Sequence, residues 1–429
     1  MNLRVFKEKF RQEVFLNVNG ARNSNLLIVR ELVTLCLKVL GGFALTLVLA
    51  PISLFRSIEI WQMQTKRSKI SFFIRDLEFG LKNIKDRKKL GKIFIFVLYP
   101  IPFPNKQLAI MYRRHVTIIG HRQRLLSEFM RFVIPILRIE IKGQMTPQTA
   151  NRMELWNSRT VTLNFSKSEM RRGEALNREL GISPKLPMVC LAFASKKYRE
   201  ATDYVVPKGK NPYPSTRHNL FDIIPNIATY VPVITNLASA QVQVVRTGTY
   251  EVEKLPEGLG EFVIDYALKK QSPFGDVWLY SHCLFALAAG SGSHWFASMF
   301  NKPSVLTDQF QLWGTYGDQD LFIPQLCYLK KNDCLAPFEW MLQQENWNWA
   351  LDDHRLGIQY DILKNSSQEI IDVIDEMLAR LNGRWVESDE DVELQARFRK
   401  ILELRKPQDR NPARMGAKFL REHQHLLPD

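Results

Sequence analysis

Leu284-Phe285-Ala286-Leu287-Ala288-Ala289-Gly290-Ser291-Gly292-Ser293-His294-Trp295-Phe296-Ala297-Ser298-Met299-Phe300 is the stretch on which the fold turns. An apolar run ends in small residues, a hydroxyl-rich turn follows, and the next segment has helical spacing, so the stretch reads as strand, loop and helix. In an open α/β sheet this junction lies at the carboxyl end of a strand, where ligands bind. The start of the helix would offer unpaired N–H groups to an anion.

The neighbouring segments repeat the pattern. Residues 188–194, 241–245, 262–265 and 304–307 read as short buried strands, and residues 230–240 and 276–283 as helices between them, the first with Pro232 in its opening turn. Strands alternating with helices at these lengths imply a parallel, doubly wound sheet. Upstream, residues 93–99 and 116–120 read as strands around a helix at 106–114 capped by Asn105; residues 124–138, 147–156 and 166–181 read as helices and 161–165 as a further strand. Ser183-Pro184-Lys185-Leu186-Pro187 is the natural boundary between this first α/β unit and the second. After about residue 336 the pattern turns mostly helical.

The chain has 429 residues, enough for two domains and an appendage, and a formal net charge of +15. Such a charge calls for a polyanionic neighbour. No zinc-finger, homeodomain or RNA-recognition spacing is present, so the sequence supports no nucleic-acid partner. The five cysteines, an odd number mostly in apolar runs, read as reduced, buried thiols.

Residues 32–55, LVTLCLKVLGGFALTLVLAPISLF, carry one charge and are long enough to cross a bilayer. Both flanks are basic, so orientation is not set. A span, an in-plane anchor and a helix buried in the protein all remain open, while a secretory signal is disfavoured because the stretch starts late and runs long.

If the second unit's strands are parallel, their carboxyl ends share one rim. That rim would carry Arg246, Asp265, Gly290, Ser291, Gly292, Ser293, His294 and Asp308: a cation, two carboxylates and a phosphate-sized hydroxyl loop. A departing diphosphate develops negative charge that Arg246 and the helix start could stabilise, and Asp265 or Asp308 could bind sugar hydroxyls. His294 could contact the diphosphate or pack at the helix start. For each residue alone, capping or solvation is the favoured account; jointly, on consecutive strand ends, they point to a ligand site.

Residues 216–308 resemble a family of bacterial glycosyltransferases of the GT-B type. The features that carry this are Tyr230, Pro232, Val245-Arg246-Thr247-Gly248, Val263-Ile264-Asp265-Tyr266-Ala267 and the Ser291-Gly292 loop closing in Lys302-Pro303-Ser304-Val305-Leu306-Thr307. The same segment is more distantly similar to heptosyltransferases of lipopolysaccharide assembly. The resemblance implies two Rossmann-like domains facing across a cleft, an activated sugar held by the second and an acceptor by the first. Ala192-Phe193-Ala194-Ser195 departs from the basic or histidine-containing turn expected after the strand at Leu191. Arg217 and Asn219 are the better candidates for that side of the donor. A base for the acceptor would come from the first domain, where His115 and His121 flank the second strand. Asp318-Gln319-Asp320 looks like a metal-carboxylate pair but lies in a loop beyond the rim, so neither metal nor cofactor is assigned.

The sequence therefore divides into a basic tail with the membrane-associating segment (1–69), an acceptor domain (70–182), a donor-binding domain (183–335) and a helical segment returning to the first domain (336–429). The activity expected is sugar transfer from a nucleotide-sugar donor to a carbohydrate or lipid-linked acceptor. Its expected place is the cytoplasmic face of the inner membrane, reached peripherally or through one anchoring segment. The rival expectation is a non-catalytic scaffold of the same fold in polysaccharide assembly. A dinucleotide-dependent oxidoreductase is disfavoured, since the turn lacks the third glycine of that fingerprint.

Overall fold

The computed structural model describes residues 58–62, 70–88, 93–98, 102–136, 156–158, 160–193, 225–249, 253–309, 312, 317–343, 359–403 and 412–428. The expected membrane-associating segment at 32–55, most of the expected helix at 147–156, and Arg217 and Asn219 lie outside the described residues. Two compact units emerge: Met1–Thr146 with Val205–Lys210, and Pro147–Tyr204 with Asn211–Asp429.

In the first unit β1 (Ile58–Gln62), β2 (Ile93–Val97) and β3 (Thr117–Ile119) form a parallel sheet in that order. Parallel neighbours need a crossover, supplied here by α1 (Ile70–Lys88) and α2 (Lys106–Arg113); α3 (Arg124–Ile136) follows β3. Asn105 caps α2 as expected, its side chain accepting from the Leu108 N–H at 3.0 Å. Ile74, Leu77, Phe96, Leu108 and Met111 are buried in this unit. Among the described residues no helix is long and apolar enough to cross a membrane.

The second unit holds a sheet of seven parallel strands among the described residues. They are β4 (Met188–Phe193), β5 (Gln243–Thr247), β6 (Val263–Asp265), β7 (Phe285–Ala289), β8 (Ser304–Gln309), β9 (Leu321–Pro324) and, after a small antiparallel sheet of β10 (Leu326–Leu329), β11 (Cys334–Leu335) and β12 (Tyr360–Leu363), β13 (Arg414–Met415). Their order across the sheet is β13-β9-β8-β7-β4-β5-β6. The chain starts in the middle at β4, builds outward to β6, then returns to β7 on β4's other side and builds the opposite way. That is the doubly wound order of dinucleotide-binding sheets, with its reversal between β4 and β7. β4, β7 and β5 are buried along their whole length, as all-parallel strands covered on both faces must be.

Right-handed crossovers put helices on opposite faces either side of the reversal. α5 (Ile227–Ser239) joins β4 to β5. α6 (Tyr266–Lys269) and α7 (Pro273–His282) lead to β7, and α8 (His294–Ser298) leads to β8. α5 begins three residues earlier than the sequence suggests because Asn226 caps it, its side chain accepting from the Ala228 N–H at 3.0 Å. Pro232 therefore sits in the second turn.

Three expectations change. The boundary at 183 moves upstream: α4 (Lys167–Leu180) belongs to the second unit, with Gly173 packed against the Trp278 indole and Asn177 Oδ1 accepting from Trp278 Nε1 at 3.0 Å. Residues 161–165 form no strand; Phe165 packs on Trp278 and Phe300. The C-terminal segment, expected against the first unit, builds into the second. β13 pairs with β9, and α10 (Ser367–Leu381) packs on α5, β8 and β9. α11 (Asp389–Leu402) and α12 (Ala417–Glu422) complete that layer. Of the four described cysteines, three are buried thiols and Cys334 is exposed.

Candidate functional site

The loop after β7 stands where the strand order reverses, the crevice in which open α/β sheets hold ligands. Gly290 leaves the strand with φ +57, a left-handed conformation that glycine adopts without strain. Ser291, Gly292 and Ser293 follow, each half-buried, and Ser291 Oγ lies 3.0 Å from Ser293 Oγ. The expected helix start is altered in one respect: α8 has only five residues, and three of the N–H groups around its start are taken. Ser293 N–H donates to Ser291 Oγ at 3.4 Å, Trp295 N–H to the Gly292 carbonyl at 3.4 Å and Phe296 N–H to the Ser293 carbonyl at 2.9 Å. What this loop offers a ligand is hydroxyls and glycine space rather than a helix dipole.

The hydroxyls have a direction. Thr247 Oγ1 donates to the Leu191 carbonyl at 3.1 Å, so it accepts from Tyr280, 2.7 Å away. The Ser291 and Ser293 hydroxyls share one hydrogen across 3.0 Å, and Ser291 Oγ also faces the Ser293 N–H. Burial, foremost, pushes the Tyr280 phenol well above its ordinary value, so it stays neutral in this chain.

His294 is buried, its Nδ1–H donating to the Ser291 carbonyl at 3.0 Å, which fixes the tautomer and leaves Nε2 as an acceptor. Nε2 has no hydrogen-bond partner among the described residues. Burial lowers its pKa to about 4, the Ser291 hydrogen bond opposing. A neutral imidazole shut away from solvent has no charge to lend a diphosphate, and His294 takes the other role expected of it, packing at the helix start against Trp295.

Arg246 and Asp265 are brought together, but with each other. They are register partners on β5 and β6, the guanidinium Nη1 lies 3.2 Å from Asp265 Oδ2, and the same nitrogen donates to the Glu253 carbonyl at 2.6 Å. Arg246 is 1% exposed and two strands away from the serine loop. It braces the sheet edge and the loop at Glu253, which replaces the charge-stabilising role expected for it.

Asp308 is also turned inward. It sits at φ +53 in an irregularity of β8, where its N–H donates to Asn365 Oδ1 at 2.6 Å and its Oδ1 accepts from Asn365 N–H at 3.0 Å. Tyr230 donates to Asp308 Oδ2 at 2.8 Å and takes the Thr307 hydroxyl hydrogen across 2.6 Å. Burial raises the Asp308 pKa, the Asn365 bond opposing. Asn365 has no catalytic spelling in the sequence; the only sign of it is the Ser366-x-x-Glu369 capping box that starts the next helix.

In the first unit the two histidines part company. His115 precedes β3 and is half-buried at the amino end of the strand; His121 follows it, exposed at the carboxyl end, where parallel sheets receive ligands. His115 therefore drops out as an acceptor base at the ligand rim and His121 stays. Asp320 lies at the amino end of β9, buried, accepting from Ser304 N–H at 2.8 Å. Among the described residues no group of three His, Cys, Asp or Glu side chains could hold a metal ion.

No protein-family model matches the sequence, and no curated protein does. Solved structures do. The chain is similar to the ADP-heptose lps heptosyltransferase II of E. coli, at 12% identity and TM-score 0.39, over 62% of this chain and 90% of that one. It is similar to a glycosyl transferase family 9 protein from Veillonella parvula DSM 2008, at 10% identity and TM-score 0.44, over 75% and 97%. It is also similar to E. coli heptosyltransferase WaaC, solved with ADP-2-deoxy-2-fluoro heptose, at 12% identity and TM-score 0.32, over 62% and 92%.

Proposed function

We propose that this chain is a glycosyltransferase that binds a nucleotide-sugar donor at the carboxyl rim of its second unit and passes the sugar to a carbohydrate or lipid-linked acceptor. One observation carries the reading: the Gly290–Ser293 loop stands at the reversal of a doubly wound parallel sheet. Gly290 and Gly292 let a diphosphate approach the backbone. The half-buried Ser291 and Ser293 hydroxyls stand beside it. Groups set in place before reaction stabilise charge developing on the leaving diphosphate without reorganising. His121 is the candidate base for the acceptor, its side chain exposed at the ligand end of the first unit's sheet. In this reading the work is done at the cytoplasmic face of the inner membrane, where a net charge of +15 favours anionic lipid.

Titration of the folded protein with ADP-, UDP-, GDP- and CMP-sugars tests it: the reading expects saturable binding of one nucleotide class, and no binding of any defeats it. The scaffold reading draws support from Arg246 and Asp308, both committed to internal partners. Turnover separates the two. A scaffold binds donor without releasing nucleoside diphosphate, whereas an enzyme given acceptor releases it.

A further inference from the structure

The segment from His121 to Leu126, at the carboxyl end of β3 and the start of α3, is exposed at every position: His121, Arg122, Gln123, Arg124, Leu125 and Leu126. Leu125 is 68% exposed and Leu126 38%. Phe129, one turn beyond Leu125, is half-buried, while Ser127 and Met130 take the inward face. Residues four apart share a helix face, so α3 is apolar on its outward side as well as its inward one. A helix that needed only to cover this unit's core would carry polar residues there.

The segment and the sequence leading to it are basic. Between residues 106 and 128 the sequence holds Lys106, Arg113, Arg114, Arg122 and Arg124 against a single acid, Glu128, which lies 3.2 Å from Arg124. Exposed leucines beside arginines are what an interfacial helix needs: side chains that enter the acyl boundary, and cations that meet phosphate headgroups. A protein partner with an apolar groove would match the leucines and leave the cations uncompensated. A free polyanion would match the cations and leave the leucines in water.

We propose that residues 121–129 are a docking surface for an anionic bilayer. The inference rests on the proposed function only for its membrane address, and it adds a second contact, in the globular first unit, separate from residues 32–55. Held this way, the carboxyl rim of the β1–β3 sheet and His121 lie at the headgroup level, where a lipid-linked acceptor presents its polar end.

Hydrogen–deuterium exchange of the full-length protein, with phosphatidylcholine vesicles with and without phosphatidylglycerol, reads the contact locally. The expected result is slowed exchange over 121–129 with phosphatidylglycerol vesicles alone. In Arg122→Gln, half-protection should need about fivefold more lipid, the cost of one cation near an anionic surface. Leu125→Asp with Leu126→Asp should abolish the protection while leaving nucleotide-sugar binding in lipid-free solution unchanged. Vesicle-bound protein with unaltered exchange at 121–129 would overturn the proposal in favour of another anchoring segment. So would failure to bind vesicles, or equal protection by heparin. None of these outcomes bears on donor binding, which is measured without lipid.

Discussion

Tyr230 donates its hydroxyl hydrogen to Asp308 Oδ2 at 2.8 Å, tying α5 on one side of the β4/β7 reversal to the irregular end of β8 on the other. The bond holds the crevice walls in register from beneath. Tyr230→Phe keeps the ring packed on Phe193 but leaves the buried carboxyl short of a donor. The expected loss is about 1–3 kcal/mol, the desolvation cost of an unmet buried group. It should be read as a lower urea midpoint with an unchanged slope.

The Arg246–Asp265 pair is a sheet brace, so its loss should be felt in stability before ligand binding. Arg246→Met leaves Asp265 and the Glu253 carbonyl without their shared donor, at a cost of about 3 kcal/mol. Adding Asp265→Leu should recover part of that. A single variant that folds normally yet loses donor binding would return Arg246 to the ligand.

The loop hydroxyls should be felt in binding. Ser291 and Ser293 stand half-buried in the loop with their Oγ atoms 3.0 Å apart, so Ser291→Ala is expected to weaken nucleotide-sugar binding about tenfold. Ser291→Ala also takes the acceptor from the Ser293 N–H, at a cost to stability of about 1 kcal/mol. Calorimetric titration and urea melts on the same samples check both.

Asp276 and Asp320 are each raised by burial, against their hydrogen bonds, from 3.8 to about 7. Between those values the folded chain holds protons that the unfolded chain has lost. Stability therefore falls as pH rises through this window, by about 1.4 kcal/mol per pH unit for each carboxyl. Asp320→Asn keeps an oxygen for the Ser304 N–H and should remove one carboxyl's share of that slope. An unchanged slope would mean Asp320 is ionised throughout.

Gly173 is where α4 meets Trp278, and a Cβ there would fall inside the indole ring. Gly173→Ala is expected to cost about 1–3 kcal/mol by overpacking, despite alanine's better helix propensity. A stabilised variant would mean that α4 is not seated on α7.

Strands β4 to β8 of the second unit were legible because each is a short apolar run closed by a polar or small residue, as at Leu287 and Val305; β9 to β13, short and set among polar turns, were not. A fully buried parallel strand has little other way to be written. The serine loop was legible for the same reason. Which way a strand-end side chain turns was not. Arg246 and Asp265 follow consecutive strands in the sequence, but only register makes them partners, and register depends on packing that no single strand encodes. The pairing of Asn365 with Asp308 was not legible because the two are 57 residues apart. α4 was assigned to the first unit because Ser183-Pro184-Lys185-Leu186-Pro187 reads as a boundary, whereas the seat of Gly173 on Trp278, 105 residues away, is written nowhere near it.

Photo-crosslinking with an azido nucleotide-sugar, followed by peptide mapping, tests the central claim most directly. The account predicts an adduct within residues 284–300 that unlabelled nucleoside diphosphate competes away. Labelling confined to other peptides of a folded protein, or an adduct at 284–300 indifferent to that competitor, would contradict it.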